Sequence, residues 1–124
     1  MDAPAVLTNL MLAIDERRWS DLVQFLHPEF ECRYVHTGEI FDRDQWIRLN
    51  AEYPGFDRLL LQEVVGDVRA AASRSHVTGV GENGLEHFEC ATFVRVRDDG
   101  RIDVMTEVRT GTAQSAPAGT RGEA

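Results

Sequence analysis

Lysine is absent from the sequence, and all 13 basic residues are arginine. Enzymes that use pyridoxal phosphate hold it as a Schiff base on a lysine, so that chemistry is excluded. The phosphate-binding loop that ends in Gly-Lys-Ser or Gly-Lys-Thr is excluded for the same reason. Positive charge comes from arginine alone, which restricts the reaction types open to the protein.

Cysteine, net positive charge and long apolar runs are also scarce. The two cysteines are Cys32 and Cys90, and the formal net charge is −8. Nucleic acids and anionic membranes bind basic surfaces, so neither is expected as a partner. No run approaches the ~18 apolar residues of a membrane-spanning helix, and Met1-Asp2-Ala3-Pro4 lacks the basic start of a signal peptide. We therefore predict a cytoplasmic protein with two reduced thiols.

The first quarter of the chain predicts helices. With 124 residues, 43% of them hydrophobic, the chain suffices for one domain with one core. Asp2 caps a helix whose apolar residues recur at helical spacing up to Ile14. Ser20 caps a second, short helix, which the pair His27-Pro28 ends.

A strand, a turn and a third helix are predicted next. Residues 30–36 alternate and are rich in aromatic and β-branched types, which predicts a strand, and Gly38 marks the turn after it. Asp42 and Gln45 have the spacing of a capping box. The helix that they begin should end at Pro54-Gly55.

Beyond residue 56 the apolar period changes to that of strands, predicted over residues 59–65, 72–80, 85–96 and 102–109. Asn83-Gly84 and Asp99-Gly100 are strong hairpin signals, so the last three strands should form an antiparallel meander. The composition of residues 111–124 predicts a flexible tail. Helices followed by strands are typical of an α+β domain, here residues 1–110, with helices packed on one face of a mainly antiparallel sheet.

The stretches that carry a resemblance to a known family are Trp19-Ser20-Asp21-Leu22, Leu26-His27-Pro28-Glu29-Phe30, the turn and helix start at residues 38–46, and Asp99-Gly100-Arg101-Ile102. Their order and spacing resemble the nuclear transport factor 2-like superfamily, more closely its SnoaL-like branch, over roughly residues 5 to 110. The resemblance implies a cone: a curved antiparallel sheet wrapped around about three N-terminal helices, with an internal pocket. It also implies no cofactor, no metal, and a homodimer formed through the outer sheet face.

The reaction stays open, because this family includes isomerases, cyclases, dehydratases, epoxide hydrolases and noncatalytic binding modules. Ketosteroid isomerases of this kind use an Asp base on the first strand, with a Tyr and a protonated Asp at the substrate oxygen. The resemblance places Tyr34, Leu10 or a neighbour, and Thr92 at those three positions here. Isomerase chemistry of that type is therefore not expected.

Strand alternation predicts which side chains face the pocket. If Tyr34 points inward, Cys32 and His36 do so too. The inward residues of the later strands are mostly apolar with a few polar groups, as in small-molecule sites. We predict ligand-binding roles for Trp46, Tyr53, Phe88, Cys90, Thr92, Met105 and Arg109. For Trp46 and Tyr53 of the third helix, a role in the core is the alternative.

Glu107 is the candidate acid or base. A carboxyl group on the last strand beside Met105 and Trp46 loses its hydration, and desolvation makes carboxyl groups usable as acids or bases near neutral pH. The alternative is that Arg109 or Arg33 pairs with Glu107 and keeps it charged.

Tyr34 and His36 are the other catalytic candidates. Tyr34 can donate a hydrogen bond to a substrate oxygen, or it is a core residue whose hydroxyl bonds to the backbone. His36 can carry protons near neutral pH, or it is a solvated turn residue.

His76, His87 and Glu89 invite a metal interpretation, but no third ligand is spaced convincingly, and no metal site is predicted. Cys32 and Cys90 lie on strands that the family's strand order separates by one strand. The resulting distance of about 9 to 10 Å is too great for a disulfide. Both are predicted to be buried thiols.

The sequence leaves open three functions for the protein. The first is a cofactor-free isomerase, cyclase or dehydratase acting on a small apolar carbonyl compound. Glu107 would be its acid and base, Tyr34 its hydrogen-bond donor, and Arg109 would orient the carboxylate or bind an anion. The second is a noncatalytic, dimeric binding module, and the third is a protein-interaction domain that uses the outer sheet face around Phe93 and Val104. An open cavity in which Glu107 lacks an arginine partner favours the first.

Overall fold

The computed structural model describes residues 1–111 and 116–120, which contain three helices and six strands. In chain order they are α1 Ala3–Asp15, a 3₁₀ helix Trp19–Phe25, β1 Leu26–Tyr34, β2 Ile40–Asp42, α2 Arg43–Ala51, β3 Phe56–Gly66, β4 Ala70–Gly81, β5 Gly84–Val96 and β6 Ile102–Gly111. The predicted tail over residues 111–124 lies outside the described residues apart from Gly111, which belongs to β6, and residues 116–120. The domain boundary at residue 110 stays a prediction.

Helix α1 forms as the sequence predicts. Its N-cap Asp2 accepts a hydrogen bond from the Ala5 amide at 3.0 Å. Its apolar stripe is buried and comprises Ala3, Val6, Leu7, Leu10, Met11, Ala13 and Ile14. At the C-terminal end the Asp15 carboxylate accepts hydrogen bonds from the Arg58 guanidinium and the Leu59 amide, each at 2.9 Å. These bonds fix the end of α1 to β3.

Strand β1 begins earlier than predicted, and the short helix before it is a 3₁₀ helix. The strand passes through His27 and Pro28 because its pairing with β6 is interrupted between Leu26 and Glu31. A proline, which has no N–H to donate, is tolerated at such an irregularity. The strand ends at Tyr34, so His36 lies beyond it, in the turn that follows.

The three-residue strand β2 was not predicted. It pairs antiparallel with β1 and leads directly into α2. The capping box of α2 is confirmed: the Asp42 carboxylate accepts from the Gln45 amide, and the Gln45 side chain accepts from the Asp42 amide, both at 2.9 Å.

The sheet has the strand order β2-β1-β6-β5-β4-β3 and is curved and unclosed. Strands β3 to β6 form an antiparallel meander, which confirms and extends the predicted one. The sheet is mainly antiparallel, as predicted, and the exception is β1, which runs parallel to β6. The elements from β2 to β5 separate these two strands in the chain, so the chain crosses back before pairing and the sheet is mixed.

The core lies between the helices and the concave sheet face, as expected for the α+β class. Trp46 of α2 and Met105 of β6 are fully buried there, with the apolar stripe of α1. Among the described residues, no helix combines the length and the apolar composition that crossing a membrane requires.

Substituting Asp42→Ala should lower the free energy of unfolding by about 0.5–2 kcal/mol, because it removes the N-cap of α2. Urea denaturation measures the loss. The matched control is Asp44→Ala, since Asp44 lies in the same first turn, is exposed and does not cap the helix. Equal losses in the two variants would contradict the capping role.

Candidate functional site

Strand register builds the site as two adjacent rows of side chains on the concave face. In the first row, Tyr34 of β1 pairs with Glu107 of β6, which pairs with Thr92 of β5, which pairs with Ser73 of β4. All four are polar, whereas the next row deeper in the core is apolar and consists of Cys32, Met105, Val94 and Ala71. The sheet therefore collects polar groups from four strands that are distant in the sequence.

The second row runs across three strands, from Arg109 of β6 through Cys90 of β5 to Ser75 of β4. Arg109 follows Glu107 by two residues, so the two side chains project from the same face of β6. Their Cα atoms are separated by about 7 Å at the rise of a β-strand. A cation and an anion thus lie side by side on the concave face.

Glu107 is only 6% exposed, and its carboxylate is held by donors from three elements. Oε1 accepts from the Trp46 indole N–H at 2.9 Å, and Oε2 accepts from the Thr92 hydroxyl at 2.8 Å. The thiol of Cys90 contacts Oε2 at 3.3 Å, and that of Cys32 contacts Oε1 at 3.8 Å. Since a buried carboxylate is costly unless it is hydrogen-bonded, these donors are what allow Glu107 to lie there.

The alternative of an arginine partner for Glu107 is wrong in this structure. No arginine among residues 1–111 and 116–120 lies within ion-pair distance of Glu107. Arg33 points to the opposite face of β1 and pairs with Glu31 at 3.1 Å. Arg109 is on the correct face but donates its hydrogen bonds to His36 and Tyr53.

Cys32 and Cys90 are free thiols whose protons are directed at Glu107. Burial, and secondly the Glu107 carboxylate, raise the pKa of both thiols far above the ordinary value. Both therefore remain protonated and act as weak donors rather than nucleophiles. β6 lies between their strands, as the family's strand order implied.

Arg109 lies among three aromatic rings. Its guanidinium carbon is 5.1 Å from the ring centre of Phe88, 5.5 Å from that of Tyr53 and 5.8 Å from that of Tyr34. Nε donates to His36 Nε2 at 3.0 Å, and Nη1 donates to the Tyr53 hydroxyl at 2.8 Å. The rings and two neutral acceptors hold the cation in one position.

His36 and Tyr34 stack on each other, with ring centres 4.8 Å apart. Partial burial and the neighbouring Arg109 lower the pKa of His36, so it stays neutral and accepts from Arg109. Burial, and secondly Glu107, raise the pKa of Tyr34, so its hydroxyl stays protonated. No described residue hydrogen-bonds to that hydroxyl, which leaves it available as a donor.

A cavity opens between α1, α2 and the sheet, with about 50 Å³ of room for the centres of water molecules. Nine of the ten predicted site residues line it: Tyr34, His36, Trp46, Tyr53, Phe88, Cys90, Thr92, Glu107 and Arg109. Met105, the tenth, does not. It is fully buried in the core, one row deeper than Glu107, where it faces Cys32 and Val94 across the sheet.

Seven residues that line the cavity were not predicted from the sequence: Met11, Ile14, Asn50, Phe56, Leu59, Ser75 and Val77. Asn50 follows Trp46 by four residues on α2, so helical spacing could have found it. Ser75 and Val77 alternate with the polar residues Arg74 and His76 along β4, so strand alternation could have found them. No sequence signal separates the lining residues Met11 and Ile14 of α1 from the core residues of that helix, because both groups belong to the same apolar stripe.

His76, His87 and Glu89 meet on the outer sheet face. His76 Nδ1 lies 3.0 Å from Glu89 Oε2, and His76 Nε2 lies 2.9 Å from His87 Nδ1. The Glu89 carboxylate also accepts from Arg74 at 2.7 Å. These groups hydrogen-bond to one another, and the described part of the chain contains no cluster arranged to hold a metal ion.

Solved structures similar to this one have the nuclear transport factor 2-like fold. A candidate ketosteroid isomerase from Kribbella flavida is 21% identical, with a TM-score of 0.82 over 98% of this chain and 87% of that chain. A protein of unknown function from Burkholderia xenovorans is 13% identical, with a TM-score of 0.78 over 97% and 91%. IdmH, a candidate polyketide cyclase from Streptomyces antibioticus, is 17% identical, with a TM-score of 0.72 over 86% of this chain and 91% of that chain.

No protein-family model and no curated protein matches the sequence. The expected fold is confirmed, and these likenesses show the fold alone.

His36 should titrate below the usual histidine value of about 6.5, and Arg109→Gln should raise its pKa, because the Arg109 cation helps to lower it. Since the folded pKa is the lower one, the stability that neutral His36 contributes is complete above about pH 6.5. It is lost as the pH falls through the folded pKa.

The measurement is an NMR titration of the histidine ring protons, with His36→Asn used for assignment. The control is Arg33→Gln, since Arg33 points away from the cavity. A His36 midpoint that Arg109→Gln leaves unchanged would count against the contact.

Proposed function

We propose that this chain, which has the fold of the nuclear transport factor 2-like proteins, is a cofactor-independent enzyme of the isomerase, cyclase or dehydratase kind. Its substrate is a small carbonyl compound with an apolar body, and Glu107 is the acid and base. The observation that carries the proposal is a buried carboxylate that lines a cavity and is held by neutral donors instead of arginine. A carboxylate that lines a cavity and has no cationic partner is free to take a proton from a bound substrate.

The proposed reaction begins when ionised Glu107 takes a proton from the carbon beside the substrate carbonyl. The electron pair of the broken C–H bond moves onto the carbonyl oxygen, which becomes an enolate oxygen. The Tyr34 hydroxyl donates a hydrogen bond to that oxygen as the charge develops. In a β,γ-unsaturated substrate, return of the proton from Glu107 to the γ-carbon gives isomerisation. Attack of the enolate carbon on a second carbonyl gives cyclisation, and Glu107 returns its proton to the alkoxide that forms. In a β-hydroxy substrate the hydroxyl group leaves with the proton from Glu107, as water, which gives dehydration.

Glu107 has room for a substrate contact despite its four protein donors. A carboxylate offers roughly four lone-pair sites. Two of its contacts come from thiols, which are weak donors, and the one from Cys32 is long at 3.8 Å. A substrate can replace these contacts, whereas Trp46 and Thr92 keep the carboxylate in position.

The remaining lining suits the body of such a substrate. Trp46, Tyr53 and Phe88 present aromatic surface to the cavity, and α1 adds Met11 and Ile14. Small-molecule sites are typically apolar, with a few placed polar groups. Desolvation by this lining strengthens the hydrogen bonds that Glu107 and Tyr34 make.

Glu107→Gln should reduce base-catalysed proton exchange by about 10²- to 10⁴-fold. The amide keeps the shape of the side chain, and its oxygen can still accept from Trp46. The assay follows by NMR the uptake of deuterium from D₂O at the carbons beside the carbonyl of 2-butanone. Thermal unfolding of the variant checks the fold.

The matched control is Glu31→Gln, because Glu31 lies on β1 outside the cavity lining. Exchange that is no faster than in buffer for the wild type, or that survives in Glu107→Gln, would refute the acid–base role.

A noncatalytic binding module of the same fold is the second candidate. The observation that favours it is the saturation of both Glu107 oxygens by protein donors around a small cavity. In that case Glu107 serves mainly to hold α2 against the sheet, and ligands bind without proton exchange. The deuterium assay separates the two candidates.

A homodimer through the outer sheet face is part of the proposal. That face exposes Phe93 at 50%, Val104 at 41% and Val65 at 66%. Phe93 and Val104 lie on the neighbouring strands β5 and β6, and Val65 lies on β3. Exposed apolar groups gathered on one sheet face are typical of an interface with another protein.

Phe93→Glu should convert the dimer to a monomer, because it places a charge at the centre of the apolar face. Size-exclusion chromatography with light scattering measures the mass. Leu12→Glu is the control, since Leu12 is 46% exposed on α1, away from the sheet. A wild-type protein that is monomeric at high concentration would rule out the homodimer.

A further inference from the structure

Arg109 differs from most arginines of this acidic chain. Eight arginines form ion pairs with carboxylates: Arg18, Arg33, Arg43, Arg58, Arg69, Arg74, Arg97 and Arg101. Arg109 forms none with residues 1–111 and 116–120, although it is half-buried and lines the cavity. Its charge is therefore not compensated by the described residues around it.

Much of the hydrogen-bonding capacity of Arg109 remains open. A guanidinium has five N–H donors in a planar fork. Arg109 uses one N–H on His36 Nε2 and one on the Tyr53 hydroxyl, both neutral acceptors. Three N–H groups are left, and two of them belong to Nη2. This is the arrangement that binds a carboxylate through paired hydrogen bonds.

The rings around Arg109 favour an anion as its partner. Phe88, Tyr53 and Tyr34 all lie within 6 Å of the guanidinium, which supports its positive charge through cation–π contacts. They also cover part of the guanidinium, and electrostatic attraction is stronger where water is excluded. A cation held in one position loses little side-chain entropy when it binds an anion.

Ser75 supplies a second polar contact on the opposite side of the same row. It is 1% exposed and lines the cavity, and its hydroxyl has no hydrogen-bond partner among the described residues. A buried hydroxyl without a partner is costly. A ligand oxygen beside Ser75 would satisfy it.

The cavity limits the size of the ligand. Its room for the centres of water molecules is about 50 Å³, so a short-chain compound suits it better than one with several fused rings.

We infer that the cavity takes a short-chain oxo- or hydroxycarboxylate, whose carboxylate binds Arg109 and whose second oxygen reaches Ser75. The carbon between the two oxygen groups then lies towards Glu107, two residues from Arg109 on the same strand, and Ser75 takes the place that Tyr34 has at the oxygen of a neutral ketone. The inference rests on the proposed function for that last step only. Binding of the acid depends on Arg109 and Ser75.

The experiment compares isosteric probes by isothermal titration calorimetry. Levulinate carries a carboxylate and a ketone, 2,5-hexanedione replaces the carboxylate by a neutral acetyl group, and pentanoate lacks the ketone. Levulinate should bind at least about tenfold more tightly than 2,5-hexanedione, since a hydrogen bond to a charged group contributes that much. It should bind about threefold or more tightly than pentanoate, since only its ketone accepts the neutral hydrogen bond from Ser75. Equal affinity for levulinate and 2,5-hexanedione would overturn the inference.

Variants assign the two contacts. Arg109→Gln should lower the affinity for levulinate about tenfold or more and abolish the preference for levulinate over 2,5-hexanedione, whereas Arg33→Gln should change neither.

Ser75→Ala should remove the preference for levulinate over pentanoate. Its control is Ser73→Ala, because Ser73 is also buried and unpartnered on β4 but does not line the cavity. Retention of both preferences in Arg109→Gln and Ser75→Ala would refute the assignment.

Deuterium exchange into levulinate separates this inference from the proposed function. Selective binding through Arg109 without Glu107-dependent exchange supports the inference and overturns the proposed acid–base role. Exchange into 2-butanone that needs Glu107, without any preference for levulinate over 2,5-hexanedione, supports that role and overturns the inference.

Discussion

The indole N–H of Trp46 donates to Glu107 over 2.9 Å, and this contact ties α2 to the middle of the sheet. Glu107 also receives the Thr92 hydroxyl of β5 and weak thiol contacts from β1 and β5. A carboxylate placed here would be costly without such donors. The packing of α2 against the sheet and the position of the candidate base thus depend on the same few hydrogen bonds.

The cavity keeps an anion and a cation close together without pairing them. Glu107 is satisfied by neutral donors, and Arg109 by aromatic rings and neutral acceptors. Both keep their charge available for a third group. A direct ion pair between them would have stabilised each charge and left neither for a ligand. This separation is what favours a binding or catalytic site over a purely structural salt bridge.

Fold and site carry different information about this protein. The nuclear transport factor 2-like fold supplies the curved sheet and the cavity, but proteins of one fold perform unrelated reactions. The resemblance to ketosteroid isomerases places Tyr34, Leu10 or a neighbour, and Thr92 at the positions of their Asp, Tyr and Asp. Thr92 lines the cavity and donates to Glu107, and the candidate carboxylate of this chain lies on β6.

The sequence by itself determined the helices, most strands and the inward face of β5 and β6, because these follow from local periodicity, caps and turns. The alternation of side chains along β6 was enough to place Glu107 on the inward face of the sheet. It could not decide which donors surround the carboxylate, since Trp46, Thr92 and Glu107 lie far apart in the chain and meet only through strand order and register. The parallel pairing of β1 with β6, the short strand β2 and the exclusion of Met105 from the cavity were likewise decided by tertiary structure. Arg109 does not pair with Glu107, because its side chain is directed towards His36, Tyr53 and the surrounding aromatic rings. Only the assembled fold brings these groups together and sets that direction.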